Sequence, residues 1–415
     1  MHTRELAQLL WAAIDEQAEE LVSLRHEIHR HPEVSGEEAA TAARLAEAVG
    51  LPVTPVAEHG FVCRAGAPDG SAVAVRTELD ALPVAEETGA PFASRNGAMH
   101  ACGHDVHQAA FAGLMRAAAG LGERLPVPLV GLAQPREETY PSGAQEIAES
   151  GLLEANRVRA VLGMHVHPGV PAGCVSTGAG GINASADEFR IEVIGRGGHG
   201  AYPHLAQDPV PAAAQIMAGL LSLVRNRVDP MQAAALSIGS VHGGQAANVI
   251  PDSIRVTGTV RAMSPEVRAL LLAEVERLAR AGAEAAGCRA EVEIVRGEPV
   301  LENDAGVVRA IDPWLEAAGL RVVEPMRSCG ADDFSFFSER LPSAMCFVGV
   351  ETCGGDPDAH LHSPHFLPPD SSVITVAKAM AAAYAALACG GLEESPRDGR
   401  EGRRGDADPQ GGLGD

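Results

Sequence analysis

The chain has few aromatic residues, no basic excess and no internal repeat. It also has no uninterrupted apolar run of about 20 residues, the length needed to cross a bilayer. Aromatics are 3 % of 415 residues, while Ala and Gly are abundant. The formal net charge is −23. That argues against nucleic acid or an anionic membrane as partner, because both need a basic surface. The most apolar windows are 209–224, broken by Pro211 and Gln215, and 373–389, which contains Lys378. The first residues, Met1-His2-Thr3-Arg4-Glu5, lack the apolar core of a secretory leader. Eight cysteines are scattered along a chain too long to need disulfide staples. Together these point to a cytoplasmic protein with reduced thiols. Hydrophobic content of 46 % and charged content of 21 % allow a sizeable core, and the length allows two or three domains.

What is present is concentrated in one stretch, Met99-His100-Ala101-Cys102-Gly103-His104-Asp105-Val106-His107. Imidazole, thiolate and carboxylate are the ligands that borderline divalent cations such as zinc prefer. Cys102 and His104 are two apart, so an irregular turn or a helix start must bring them to one ion, and Gly103 permits such a backbone. An Ala- and Leu-rich run to Ala119 predicts a buried helix. The cluster then sits at a helix N-terminus, which favours a thiolate or carboxylate. The plainer alternative is a polar loop with a structural cysteine.

Periodicity predicts a helix over 3–30, ended by Pro32, and a second through Val49. The histidines of His26-Glu27-Ile28-His29-Arg30-His31 read as basic residues at a helix C-terminus rather than as ligands. Short buried strands follow at 61–65, 72–76, 127–133 and 160–164, alternating with helices. Each of the last three delivers acidic or imidazole groups at its carboxyl end: Glu78 and Asp80, Glu137 and Glu138, His165. Open α/β sheets place their sites outside those ends. Near residue 180 the pattern changes. The β-α-β-β-α-β order from 187 to 296 predicts a compact ferredoxin-like insert. The expected division is 1–180 and 298–392 as two parts of a central mixed-sheet α/β domain, 181–297 as the inserted α+β domain, and 393–415 as a disordered tail.

Cys102, His104, Glu137, Glu138, His165 and His362 make five candidate ligands and one spare carboxylate, more than one tetrahedral zinc takes. Two adjacent ions sharing a water fit better. One of the paired glutamates then binds metal while the other moves a proton. Paired glutamates are usually a solvated face and lone histidines usually satisfied polar residues. Glu-Glu directly after a buried strand and Gln-Pro is less easily dismissed.

These stretches resemble the amidohydrolase branch of the aminoacylase/carboxypeptidase two-metal hydrolases, such as hippurate hydrolases and indoleacetyl-amino-acid hydrolases. The matching runs are Leu24–Glu38, Asp80–Pro83, Met99–His107, Gln134–Glu138, Gly163–His165, Gly197–His199 with Tyr202–His204, Asn248–Asp252, Gly258–Arg261, Asp333-Phe334 and Leu361–Phe366. The resemblance implies a metallohydrolase fold whose insert is a lid or dimerisation domain, giving a homodimer or higher homo-oligomer. It implies two divalent ions, zinc or manganese, with Cys102 bridging and His104, Glu138, His165 and His362 completing the shells. Glu137 would be the general base and acid, His199 would stabilise the oxyanion in a partner's site, and Asn248 and Arg261 would hold the substrate carboxylate. Asp105 is expected to orient His104, and His107 to do likewise or to pack.

The expected reaction is cleavage of N-acyl-amino acids to a carboxylic acid and an amino acid. The alternatives are a dipeptidase or carboxypeptidase on the same metal pair, a silent metal-containing binding protein, and a thiol hydrolase using Cys102. Four departures from the family pattern bear on specificity: Glu78 for an aspartate, Arg136 for a small residue, Gly200 for an alanine, and Asp332 for a glutamate.

Overall fold

Residues 1–353, 356 and 358–390 are described by the structure, a computed structural model. The tail expected at 393–415 lies outside them.

Side-chain alternation decides how the main sheet is covered. Val73 and Val75 face one core with Leu129, Leu162 and Met164. Ala72 and Ala74 face a second with Val130, Leu132 and Val161. A strand buried on both faces must be apolar throughout, as these are. The central strands are Ala72–Glu78 (β1), Leu129–Gln134 (β2), Val158–His167 (β3) and Ser343–Gly349 (β4). They run parallel in the order β2-β1-β3-β4. Antiparallel strands Gly60–Ala65 and Val53–Val56 extend the β2 side; Cys174–Ser176 and Arg321–Val323 extend the β4 side. The result is one mixed sheet of 8 strands.

The predicted buried helix is His104–Leu121 (α1), packed on the sheet with the apolar helix Ser371–Gly390. Ser371–Gly390 is long and apolar enough to span a membrane, but 72 % of its most apolar window is buried inside the protein. Each fully buried aliphatic side chain contributes roughly 1.5–3 kcal/mol, so this pair anchors the domain. The helix expected over 3–30 is two, Thr3–Glu16 and Ala18–Arg30, broken at Gln17. The long helix near 209 likewise breaks at Ser222, whose hydroxyl bonds the Ala218 carbonyl and competes with the helical ladder.

The inserted part is a separate sheet in the order Ala234–His242, Ser253–Ala262, Ser185–Ile194, Arg289–Arg296, antiparallel throughout. Helices Pro209–Leu221 and Pro265–Ala285 cover one face around Phe189, Ile191 and Val193. This is the ferredoxin-like arrangement predicted from element order. The molecule is thus an α/β protein of two domains, each with its own core.

Candidate metal centre

Three of the central strands end at one cavity. From β1 come Glu78 and Asp80, from β2 Glu137 and Glu138, and from β3 His165. Cys102 and His104 arrive from the start of α1 across Gly103. That glycine has φ +86, and a Cβ there would lie 2.4 Å from a Val166 methyl. Only glycine fits such a turn pressed against β3. His362 comes from a late loop with φ +68, its N–H bonded to the Ala101 carbonyl at 2.9 Å. A histidine in the left-handed region is held there by its surroundings.

The six groups converge. Ligand atoms of Cys102, His104 and Glu138 lie within 4.8 Å of one another. Cys102 Sγ is 3.4 Å from His165 Nε2, and His362 Nε2 is 3.2 Å from Glu138 Oε1. Glu137 Oε2 stands 3.9 Å from His104 Nε2. Five of the six, all but His104, line a cavity of about 190 Å³ together with His167, Asn183, Met326, Ser328, Phe347 and Leu361.

Hydrogen bonds orient the imidazoles. His104 Nδ1 donates to the Asp80 carbonyl at 2.9 Å, and His165 Nδ1 donates to the Val166 carbonyl at 2.7 Å. Each leaves Nε2 aimed at the cavity, the usual arrangement of a metal-binding histidine. Among the described residues the buried His104 Nε2 has no hydrogen-bond partner. Such an orphan is costly unless an ion takes it.

The electrostatics agree. Burial pushes the Cys102 thiol well up, and Glu138, Glu137 and Glu78 add to it. Burial also drives the Glu137 carboxyl up, with Glu138, Asp332 and Asp333 adding like charge. At His104 burial works downward, but the Asp80 hydrogen bond and nearby carboxylates carry it up to about 10. A divalent cation supplies the positive charge this set calls for and deprotonates a coordinating thiol. Sulfur, imidazole and carboxylate donors fit such an ion.

One expectation is corrected here. Asp105 does not orient His104. It turns to Arg25 Nε at 2.9 Å and His29 Nδ1 at 3.0 Å, because helix Ala18–Arg30 packs on α1 there. His29 lies in the last turn of its helix, as expected. It is buried between Asp105 and Glu86, which overcome the downward effect of burial and raise it to about 9. The residue that does the orienting is Asp80. Its carboxylate also accepts from Ser35 at 2.7 Å and from the Glu138 N–H at 2.9 Å. The signal was in Asp80-Ala81-Leu82-Pro83, directly after a strand.

Arg136 points away from the cavity. Its guanidinium bonds the Pro141 carbonyl at 3.0 Å and pairs with Glu146 at 2.6 Å and Glu58 at 3.3 Å. Asp332 does line the cavity, and its carboxylate clusters with those of Glu137 and Asp333. Arg76, also unforeseen, is fully buried among Glu78, Gln134 and Asp333.

His199, Asn248 and Arg261 are not among the residues lining this cavity. His199 and Asn248 are exposed on the insert, where His199 pairs with Val249 and the Gly200 N–H bonds the Asn248 carbonyl at 2.8 Å. Arg261 lies half-buried on Ser253–Ala262, opposite Ala186 and Ala235.

Fold and donor set define a class, the two-domain α/β metallohydrolases. Comparison with known proteins gives the family. The model for peptidase family M20/M25/M40 matches residues 74–386, and the chain belongs to that family. An N-acetyl-L-cysteine deacetylase of Bacillus subtilis is 34 % identical over 361 residues, covering 86 % of this chain and 85 % of that protein. An N-acetyldiaminopimelate deacetylase of Halalkalibacterium halodurans is 33 % identical over 350 residues, covering 82 % of this chain and 94 % of its own. The crystal structure of Bacillus subtilis YxeP, described as a dinuclear metal-binding M20 peptidase, superposes with a TM-score of 0.77 at 30 % identity, covering 89 % of this chain and 98 % of YxeP.

Proposed function

We propose that this protein is a metal-dependent amidohydrolase that cleaves N-acyl-amino acids carrying a short acyl group. The observation that carries this is the buried His104 Nε2, without a hydrogen-bond partner, facing Cys102 and Glu138 while Glu137 stays outside that trio. Deacetylases among the relatives support the reaction. The cavity of about 190 Å³, lined by Met326, Phe347 and Leu361 among others, favours a small acyl group, since drug-sized ligands need roughly 300 Å³ or more.

In this reading Cys102, His104, Glu138, His165 and His362 would hold two divalent ions, zinc or manganese. When bound, such ions polarise a carbonyl and lower the pKa of a shared water. Glu137 takes the water proton and hands it to the departing amino-acid nitrogen. The burial that raises its carboxyl favours its holding that proton. The insert, 181–297, closes over the catalytic parts, 1–180 and 298–392, and pairs two chains. His199 then stabilises the oxyanion in the partner's site, and Asn248 and Arg261 hold the substrate carboxylate. The enzyme works in the cytoplasm.

The test is amino-acid release from acetyl-, benzoyl- and indoleacetyl-amino acids by metal-stripped protein reloaded with zinc or manganese. Metal-dependent release, fastest for acetyl, is expected. Release that survives EDTA would move the chemistry to the Cys102 thiol. Release only from free dipeptides would make the enzyme a dipeptidase.

A further inference from the structure

The strand that carries His165 is held by a buried relay that the proposed mechanism leaves unused. β1 pairs with β3 only as far as Arg76 opposite Gly163. Beyond that point the β1 side of β3 has no strand neighbour, yet β3 runs on to His167. The Val166 N–H faces that gap. It is taken by His107 Nε2 at 2.9 Å.

A backbone N–H only donates, so His107 Nε2 accepts and its Nδ1 carries the proton. Nδ1 donates to Glu78 Oε2 at 3.1 Å. The other oxygen of Glu78 accepts from Arg76 Nη1, and Arg76 is anchored on Gln134 at 2.7 Å and on Asp333 at 2.8 Å. Every side chain in this chain of contacts is buried. His107 also packs edge-on against the His165 ring, centroids 4.6 Å apart. The peptide it grips is the one leaving His165, and the next carbonyl accepts from His165 Nδ1. Both the backbone direction and the ring rotation of His165 therefore depend on Val166.

Glu78, His104, His107 and His165 place ligand atoms within 4.8 Å of one another. That proximity resembles a further metal site. With both His107 nitrogens engaged, the geometry instead points to another role. We infer that His107 and Glu78 are positioning residues that aim His165 Nε2 at the metal centre, Glu78 acting through His107. This rests on His165 being a metal ligand. Glu78 carries one methylene more than the aspartate expected there, and it spans from Arg76 to His107.

The test reads metal binding rather than turnover. Metal-stripped protein is titrated with zinc against a chromogenic chelator, and with cobalt(II) followed by its visible spectrum. Asn at 107 keeps a group near Nδ1 but none at Nε2; Gln reaches the Nε2 position. H107N is expected to weaken the zinc site that uses His165 by about tenfold or more and to change the cobalt spectrum. H107Q is expected to recover most of the affinity. E78D should weaken binding in the parent background and add nothing in H107N, because the two act in series. Parental affinity in H107N, or equal losses in H107N and H107Q, would overturn the inference. Should the variants not fold, nitrogen-15 histidine NMR of the zinc-loaded parent decides. A bare Nε2 and protonated Nδ1 at His107 are required, and a protonated or metal-bound Nε2 overturns the assignment. A parent that binds no zinc at all would instead sink the metal-centre reading.

Discussion

His104 and His199 have comparable standing in the sequence, each beside a glycine, but they live under different rules. His104 is buried, and its Nδ1 is bonded to the Asp80 carbonyl. His199 is exposed on a short ladder of the insert, its Nδ1 accepting only from the nearby Ala201 N–H. A buried polar group must find its partners inside the chain, so one chain's fold sets its geometry. An exposed group is satisfied by water and takes up its working surroundings when another surface covers it. The donor cluster is therefore built within one chain, whereas the groups proposed for the oxyanion and the carboxylate wait on an assembly or a closure.

Four experiments test that contrast, from the largest effect to the smallest. Glu137→Gln should lower kcat by about 10²–10⁴-fold while zinc content stays at the parental value. Loss of bound metal in that variant would make Glu137 part of the donor cluster. His199→Ala should lower kcat by about 10²–10³-fold, also without loss of metal. Mixed E137Q and H199A chains should then recover activity after subunit exchange, since one site of the hybrid is whole; no recovery would place His199 in its own chain's site.

The third experiment concerns pH. His29 titrates near 9 in the folded protein against 6.5 in an open chain. Folding thus favours its protonated form. The stabilisation is complete below pH 6.5, falls as pH rises and is gone above about 9. Linkage sets it at about 3 kcal/mol. Urea midpoints from pH 6 to 9.5 should show this fall in the parent and much less of it in H29N; equal slopes would mean His29 is not held protonated. The smallest effect belongs to Arg136→Ala, a loss of about 1–2 kcal/mol in stability with the ranking of acyl groups unchanged. A new ranking would show that the guanidinium reaches substrate after all.

Most of the donors were legible because they lie within a few residues of a strand end or helix start, a local pattern; His362, on a late loop, was marked only by the run Leu361–Phe366. Their convergence outside the strands' carboxyl ends followed from the βαβ rhythm, and the insert from its own element order. The supporting partners were not legible. Asp105 lies next to His104 in sequence, and proximity assigned it there; the helix bearing Arg25 and His29 claims it across the fold. Arg136 stands beside Glu137, but its guanidinium points away from the cavity to Glu58 and Glu146. Glu78 and His107 are 29 residues apart and meet only because β1 and α1 share a sheet face. Such contacts depend on tertiary approach, which no spacing rule encodes.

The late position of His362 has a consequence for biosynthesis. Cys102, His104, Glu137, Glu138 and His165 all lie in the first half of the chain, and the inserted domain and Leu361-His362 are made after them. The strand beside β3, Ser343–Gly349, and the helix that packs on α1, Ser371–Gly390, are also made late, so the cluster is completed only when the C-terminal segment is in place. A chain cut short before His362 would lack both that group and the helix that packs on α1.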